Sequence, residues 1–177
     1  MAPSSTTEVT AVAPLGSGAR LSVIVITKNE QTHIRACLES VAFAHEIIVV
    51  ASGSTDETVE IARAMGAKVT VTSEWPGFGP QKNRALDQAT GDWVLSIDAD
   101  ERVTPELAQL IQQEIAQPQG TAYRIARLSE FAGRWMRHSG WWPDRVLRLF
   151  KRGTARFNEA KVNESVQTTA PVLTLEG

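Results

Sequence analysis

DWVLSIDADERV, residues 92–103, decides the fold. Trp93 to Ile97 is a β-branched and apolar run broken only by Ser96, the pattern of a strand buried on both faces. It ends on two carboxylates one residue apart, Asp98 and Asp100. Like charges that close repel, so a fold keeps them in open water or with a cation between them. The rest of the chain has to say which.

Working outward, LSVIVI (21–26) and EIIVVA (46–51) are two more buried strands, and AKVTVTS (67–73) is another. Helical patterns separate them. Ile34, Leu38, Val41 and Ala42 fall on one face of the first. Ser54 or Thr55 is expected to cap the second, which stops at Gly66. GPQKNRALDQATG (79–91) reads as the third, closed by Gly91. Strands alternating with helices at this spacing predict βαβ units and a mostly parallel sheet flanked by helices. Ligands of such sheets bind beyond the carboxyl ends of the strands. Those ends carry TKNE, ASGSTD and DADE, which should line one crevice. A helix begun by Thr104-Pro105 follows, and the pattern then turns antiparallel in AYRIARLSEF and DRVLRLFKRG. Between them AGRWMRHSGWWP holds three of the five tryptophans. The expected organisation is a mobile tail over 1–20 and one domain over 21–177. Within it, 21–103 forms a nucleotide-type half and 104–177 a smaller mixed half, expected to be incomplete at its C-terminal end.

Composition removes several classes. The 177 residues suffice for one domain with a core. The single cysteine, Cys37, excludes a disulfide framework and a zinc ribbon, and reads as a small buried residue. No apolar stretch is long enough to span a bilayer, and the first twenty residues lack the pattern of a secretory signal. These features predict a cytoplasmic protein. Net charge is −2 but uneven: residues 120–156 hold nine Lys or Arg against two acids, Glu130 and Asp144, leaving +7 there and −9 elsewhere. Such asymmetry points to an anionic partner, and the acidic remainder argues against a nucleic acid.

The DxD at a strand's carboxyl end favours a hard cation, Mg²⁺ or Mn²⁺, held by one or two carboxylates plus diphosphate oxygens. SGSTD can cradle a phosphate on backbone N–H groups. There is no GxGxxG and no GxxxxGK[ST], which disfavours a dinucleotide enzyme and a P-loop NTPase. Lys82 and Arg84 at a helix start suit a diphosphate, or else simply face solvent. Trp141 or Trp142 can form a flat platform for a sugar ring, or pack a core. Asp144 lies among Arg134, Arg137, Arg145 and Arg148, as a salt-bridge partner or as a general base. His33, His45 and His138 show no triad spacing and read as surface residues.

Taken together, LSVIVITKNE, EIIVVASGSTDETVEIA, WPGFGPQKNRALDQATGDWVLSIDADERVTPEL and GWWPDRVLRLFKRG resemble inverting glycosyltransferases of family 2. The nearest branch adds glucose to the inner core of bacterial lipopolysaccharide. The resemblance runs over roughly residues 20 to 167, and Trp75 to Leu107 is its most specific part. It implies a GT-A (Rossmann-like) α/β fold with a mixed acceptor-side subdomain, a UDP-sugar donor and a divalent cation. Thr27, Asn29 and Glu30 match the first donor loop, Ser52 and Gly53 the second, and Lys82 and Asn83 a helix facing the donor. Asp98 would lie near the ribose and metal, with Asp100 as the direct ligand. Asp144 matches the catalytic carboxylate, with Trp141, Trp142 and Arg145 on the acceptor side. A phosphorylated lipopolysaccharide core acceptor and a peripheral position on the inner membrane would account for the +7 segment. Two positions depart from the family pattern: Ala51 stands where an Asp usually contacts uracil, and Asn163 where a His usually precedes Glu164. These leave a second expectation open, a nucleotide-sugar or glycan-binding module of the same fold with impaired catalysis.

Overall fold

The computed structural model describes residues 19–125, 129–130, 146–157, 166–168 and 171–175. Its centre is a seven-stranded sheet. In chain order the strands are β1 (Leu21–Thr27), β2 (Glu46–Ser52), β3 (Lys68–Thr72), β4 (Trp93–Asp98), β6 (Ala122–Ile125), β8 (Val146–Lys151) and β11 (Leu173–Leu175). Across the sheet they run β11-β6-β8-β4-β1-β2-β3. β1 pairs in parallel with β2 and β4, and β2 with β3. The change to antiparallel pairing comes at β8, which runs against both β4 and β6. Short antiparallel pairs add β5 (Glu101–Arg102) with β7 (Ser129–Glu130), and β9 (Ala155–Phe157) with β10 (Val166–Thr168).

Strand periodicity divides the core into two layers. Leu21, Val23 and Val25 of β1, with Trp93, Leu95 and Ile97 of β4, pack under α1 (Ile34–Ser40), α2 (Thr58–Ala64) and α4 (Pro105–Ala116). Ile24, Ile26, Ile48, Val50 and Val94 face the other way, toward α3 (Phe78–Gln88) and β9. β1 is buried along its whole length, Ser22 and Thr27 included, as a strand covered on both faces requires. At roughly 25 cal/mol per Å² of apolar area, this two-sided burial is the main force holding the sheet.

Several local expectations change. α1 buries Ile34, Cys37 and Leu38, followed by Val41, whereas Ala42 is exposed. α2 begins only at Thr58, and neither Ser54 nor Thr55 caps it. Their groups are drawn instead to the loop after β1. α3 ends at Gln88, before Gly91. Gly91 is required for a close approach: a Cβ there would lie 2.8 Å from both the Arg20 carbonyl oxygen and Ser22 Oγ. The Thr104 side chain accepts the Leu107 N–H at 3.2 Å and caps α4 as expected, with Pro105 in the first turn. His45 is half-buried; its Nδ1 accepts the Leu21 N–H at 3.1 Å, latching the start of β1, and burial lowers its pKa. His33 is half-buried as well, and His138 lies outside the described residues.

Candidate active-site crevice

The carboxyl ends of β1, β2 and β4 lie side by side at the middle of the sheet. The loops after β1 and β2 are stitched together. Asn29 adopts φ +54°, the left-handed region that Asn tolerates better than most residues. That twist lets its Oδ1 accept the Thr55 N–H at 2.8 Å, while its own N–H donates to Ser54 Oγ at 3.1 Å. The Glu30 N–H donates to Thr58 Oγ1 at 2.9 Å, and the Gln31 N–H to Asp56 Oδ2 at 3.2 Å. Gly53, at φ +58°, makes the turn between β2 and this clasp. Thr27 and Ser52 sit at the strand ends, almost fully buried, and neither hydroxyl has a partner among the described residues. Buried hydroxyls are nearly always satisfied, so an unpaired pair at strand ends is suited to a bound polar group.

On the α3 side, Lys82 is only 7% exposed. Its Nζ lies 3.7 Å from Asp98 Oδ1 and 5.4 Å from the centre of the Phe157 ring. A buried ammonium needs such compensation, and here a carboxylate and an aromatic face supply it. Arg84 is turned away to Glu74 at 2.7 Å and Gln81 at 2.8 Å. The two cations of this helix therefore separate, one toward the crevice and one toward the surface. Asn83 is buried, with its carboxamide committed to β9: Nδ2 donates to the Phe157 carbonyl at 3.0 Å, and Oδ1 accepts the Phe157 N–H at 3.1 Å. It holds the strand that carries Lys82's aromatic neighbour.

The acidic turn after β4 is anchored from several directions. The Asp98 side chain is 40% exposed, whereas Asp100 is buried. The Asp98 N–H donates to Glu101 Oε1 at 2.8 Å, and the Cys37 thiol from α1 reaches the Asp98 carbonyl at 3.5 Å. Glu101 is buried and meets Arg148 of β8 through two bonds, 2.7 and 2.8 Å. Burial pushes the Glu101 carboxyl up and the charge of Asp98 adds to this, while the Arg148 guanidinium pulls it back down. Burial likewise pushes the Cys37 thiol well up, and the charges of Glu101, Asp98, Asp100 and Glu30 push it further. The field of four carboxylates thus converges just behind this turn.

Thr27, Asn29, Glu30, Ser52, Gly53, Lys82, Asp98 and Asp100 therefore gather at one end of the sheet. Trp141, Trp142, Asp144, Arg145 and Asn163 lie outside the described residues, as do 1–18 of the expected tail. Glu101 and Arg148 escaped the sequence reading as site residues. The signal for Glu101 was its place beside the DxD; Arg148, 47 positions away, offered none. The donor set at the turn is all oxygen. Among the described residues, no group of three or more His, Cys, Asp or Glu side chains could enclose a metal. Two carboxylates in an acidic field fit a hard divalent cation that takes its other oxygens from substrate and water.

A parallel sheet with an acidic turn ending its central strand and an antiparallel extension beyond it defines the GT-A class of fold. Solved structures agree. TarS of Staphylococcus aureus, residues 1–349 in complex with UDP-GlcNAc, is 30% identical and aligns over 65% of this chain and 36% of its own, with a TM-score of 0.56. Glucosyl-3-phosphoglycerate synthase of Mycobacterium tuberculosis, solved with Mn²⁺, UDP and phosphoglyceric acid, shares the fold at 23% identity. It aligns over 80% of this chain and 58% of its own, with a TM-score of 0.60.

The chain belongs to glycosyl transferase family 2, whose model matches residues 22–171. Lipopolysaccharide core biosynthesis glycosyltransferase LpsC of Rhizobium meliloti is 33% identical over 157 residues, 82% of this chain and 56% of that protein. An uncharacterized glycosyltransferase of Rickettsia typhi is 42% identical over 118 residues, 64% of this chain and 40% of that protein. The chain thus spans about half the length of the curated relatives it matches.

Proposed function

We propose that this chain acts as an inverting glycosyltransferase that moves a hexose, glucose in the first instance, from a UDP-sugar to a phosphorylated lipopolysaccharide core acceptor. The observation that carries the reading is the pairing of buried Lys82 with Asp98 beside the unpaired Thr27 and Ser52 hydroxyls. One end of the sheet thereby offers a cation, a carboxylate turn and unsatisfied hydroxyls to a nucleoside diphosphate. The UDP-GlcNAc complex of the 30% identical TarS supports a UDP-sugar as the donor class, and the name of LpsC supports the acceptor class.

A divalent cation, Mg²⁺ or Mn²⁺, held by Asp98 and Asp100 would neutralise charge developing on the diphosphate. Lys82 does the same from the α3 side, in a site dry enough to strengthen the attraction. Thr27, Asn29, Glu30, Ser52 and Gly53 line the nucleoside side. Asn83 contributes indirectly, through β9. Asp144 is assigned as the base, with Trp141, Trp142 and Arg145 holding the acceptor. It takes the proton of an acceptor hydroxyl as that oxygen attacks the anomeric carbon. The bond from that carbon to the diphosphate breaks, UDP leaves on the opposite face, and the configuration inverts.

Among the described residues no helix is long and apolar enough to cross a membrane. The +7 charge over 120–156 would draw the protein to anionic lipid at the cytoplasmic face of the inner membrane. A second reading, a donor-binding module without turnover, is favoured by Ala51: it is wholly buried beside Thr27 and brings no polar group to the crevice.

Calorimetry of UDP with Mn²⁺ and with chelator, on this chain and on Asp100→Ala, tests the donor site. Binding that requires Mn²⁺ and disappears in the variant is expected. Equal binding with chelator would overturn the cation assignment. Release of UDP from UDP-glucose with a core acceptor then separates turnover from binding alone, and Ala51→Asp shows whether the missing carboxylate is the reason for any failure.

A further inference from the structure

We propose that Glu101 and Arg148 form a positioning pair that sets the acidic turn for its cation and ties it to the strand leading out of the acceptor segment. The proposal rests on the donor-site reading above and extends it to two residues that touch no substrate. Glu101 Oε1 accepts both the Asp98 N–H at 2.8 Å and Arg148 Nη1 at 2.7 Å, while Oε2 accepts Nη2 at 2.8 Å. Arg148 Nη1 also reaches the Ser96 carbonyl at 3.3 Å. The Cys37 thiol takes the Asp98 carbonyl, and Ser40 Oγ takes the Val103 N–H at 2.9 Å. The backbone at Asp98 is thus held on both its N–H and its C=O, and its carboxylate, 40% exposed, lies 3.7 Å from Lys82 Nζ.

Two features argue that this arrangement serves position more than stability. A buried ion pair seldom adds net stability, because desolvating two charges offsets their attraction. Its geometry, in contrast, is restrictive: a planar guanidinium bonded twice to a carboxylate fixes distance and angle together. Arg148 also stands three residues after Arg145, and its strand begins at Val146. One bidentate contact therefore relates the turn that holds the cation to the exit of the segment carrying Asp144. Partners that orient ligating carboxylates in this way typically govern metal affinity by about 10- to 100-fold.

The experiment uses the full chain, with Mn²⁺ alone as probe, read by water-proton relaxation, and amide exchange across residues 95–103 as a second readout. Glu101→Gln and Arg148→Lys are each expected to weaken Mn²⁺ about 10- to 100-fold with the fold retained by circular dichroism. The double variant should be no worse than the worse single, because the two residues act as one unit. Exchange at the Asp98 amide should speed up in both singles. Arg148→Lys keeps the charge and loses only the fork, so it carries the test if Glu101→Gln yields little folded protein. Faster exchange with unchanged Mn²⁺ affinity would reduce the pair to a structural brace and overturn the proposal. Absence of Mn²⁺ binding in the wild-type chain would instead overturn the cation site, and the positioning role with it.

Discussion

Replacing Asn83 with Ala separates two roles that the sequence alone merges. Asn83 follows Lys82 on α3 and was expected to face the donor. Its carboxamide instead makes two buried bonds to the backbone of Phe157, 3.0 and 3.1 Å long. Truncation removes the bonds that Asn83 makes to one N–H and one C=O of β9. Each buried group so deprived costs about 1–3 kcal/mol, so the loss should reach about 2–4 kcal/mol once partial water access is allowed for. With a urea m-value of about 2 kcal/mol per M, the midpoint should fall by about 1–2 M. Urea unfolding by fluorescence, beside UDP calorimetry in Mn²⁺, measures both sides of the question. A large fall in stability is expected, with UDP binding weakened chiefly through the Lys82 environment, since Phe157 is that ammonium's aromatic neighbour. A midpoint shift below about 0.3 M together with abolished UDP binding would refute this expectation and return Asn83 to direct donor contact.

Two further outcomes follow from the opposite end of the sheet. Burial pushes the Glu46 carboxyl up, but Lys68, Ser22 and Thr90 outweigh this and bring it down to about 2 from 4.5. A carboxyl depressed by folding stabilises fully above its unfolded pKa and loses that contribution as pH falls toward 2. With the Lys68 end 62% exposed and screened, the contribution is about 1–2 kcal/mol. The stability advantage of the wild type over Glu46→Gln should therefore be largest at pH 7, shrink progressively below about pH 5, and disappear only once the pH falls below the folded pKa of about 2 in urea titrations; a constant gap would contradict the assignment. Gly91→Ala places a Cβ 2.8 Å from a backbone oxygen and from Ser22 Oγ. It should cost about 1–3 kcal/mol, seen as a fall of roughly 3–10 °C in Tm, and an unchanged Tm would mean that the close approach relaxes freely.

The parts of the fold that were legible are those whose physics is local. A buried parallel strand must be apolar on both faces, so β1, β2 and β4 announce themselves within a few residues. Thr104-Pro105 marks a helix start because cap and fixed φ act within one turn. Signals that depend on distant partners misled. SGSTD looks like a cap because small hydroxyl residues before a helix usually are one. Here their groups are claimed by Asn29, about 25 positions earlier, whose left-handed backbone no local pattern reveals. Gly91 looks like a helix stop, yet its reason is the backbone at Arg20 and Ser22.

The crevice divides along the same line. Asp98 and Asp100 could be picked out because a carboxylate pair at the end of an apolar run repels unless water or a cation lies between its members. Residue chemistry alone names Lys82 and Arg84 together, two cations two positions apart on one helix, and only the family resemblance singles out Lys82. Only the tertiary fold sends one to Asp98 and the other to Glu74. Glu101 is the extreme case. In sequence it is one more acid beside two others, and like-charge crowding suggests that it should escape to solvent. It is buried because Arg148 meets it with both nitrogens, and that encounter depends on β8 entering the sheet antiparallel next to β4. The reversal of strand direction that ends the parallel half of the fold is therefore also what allows a third carboxylate to sit beneath the turn.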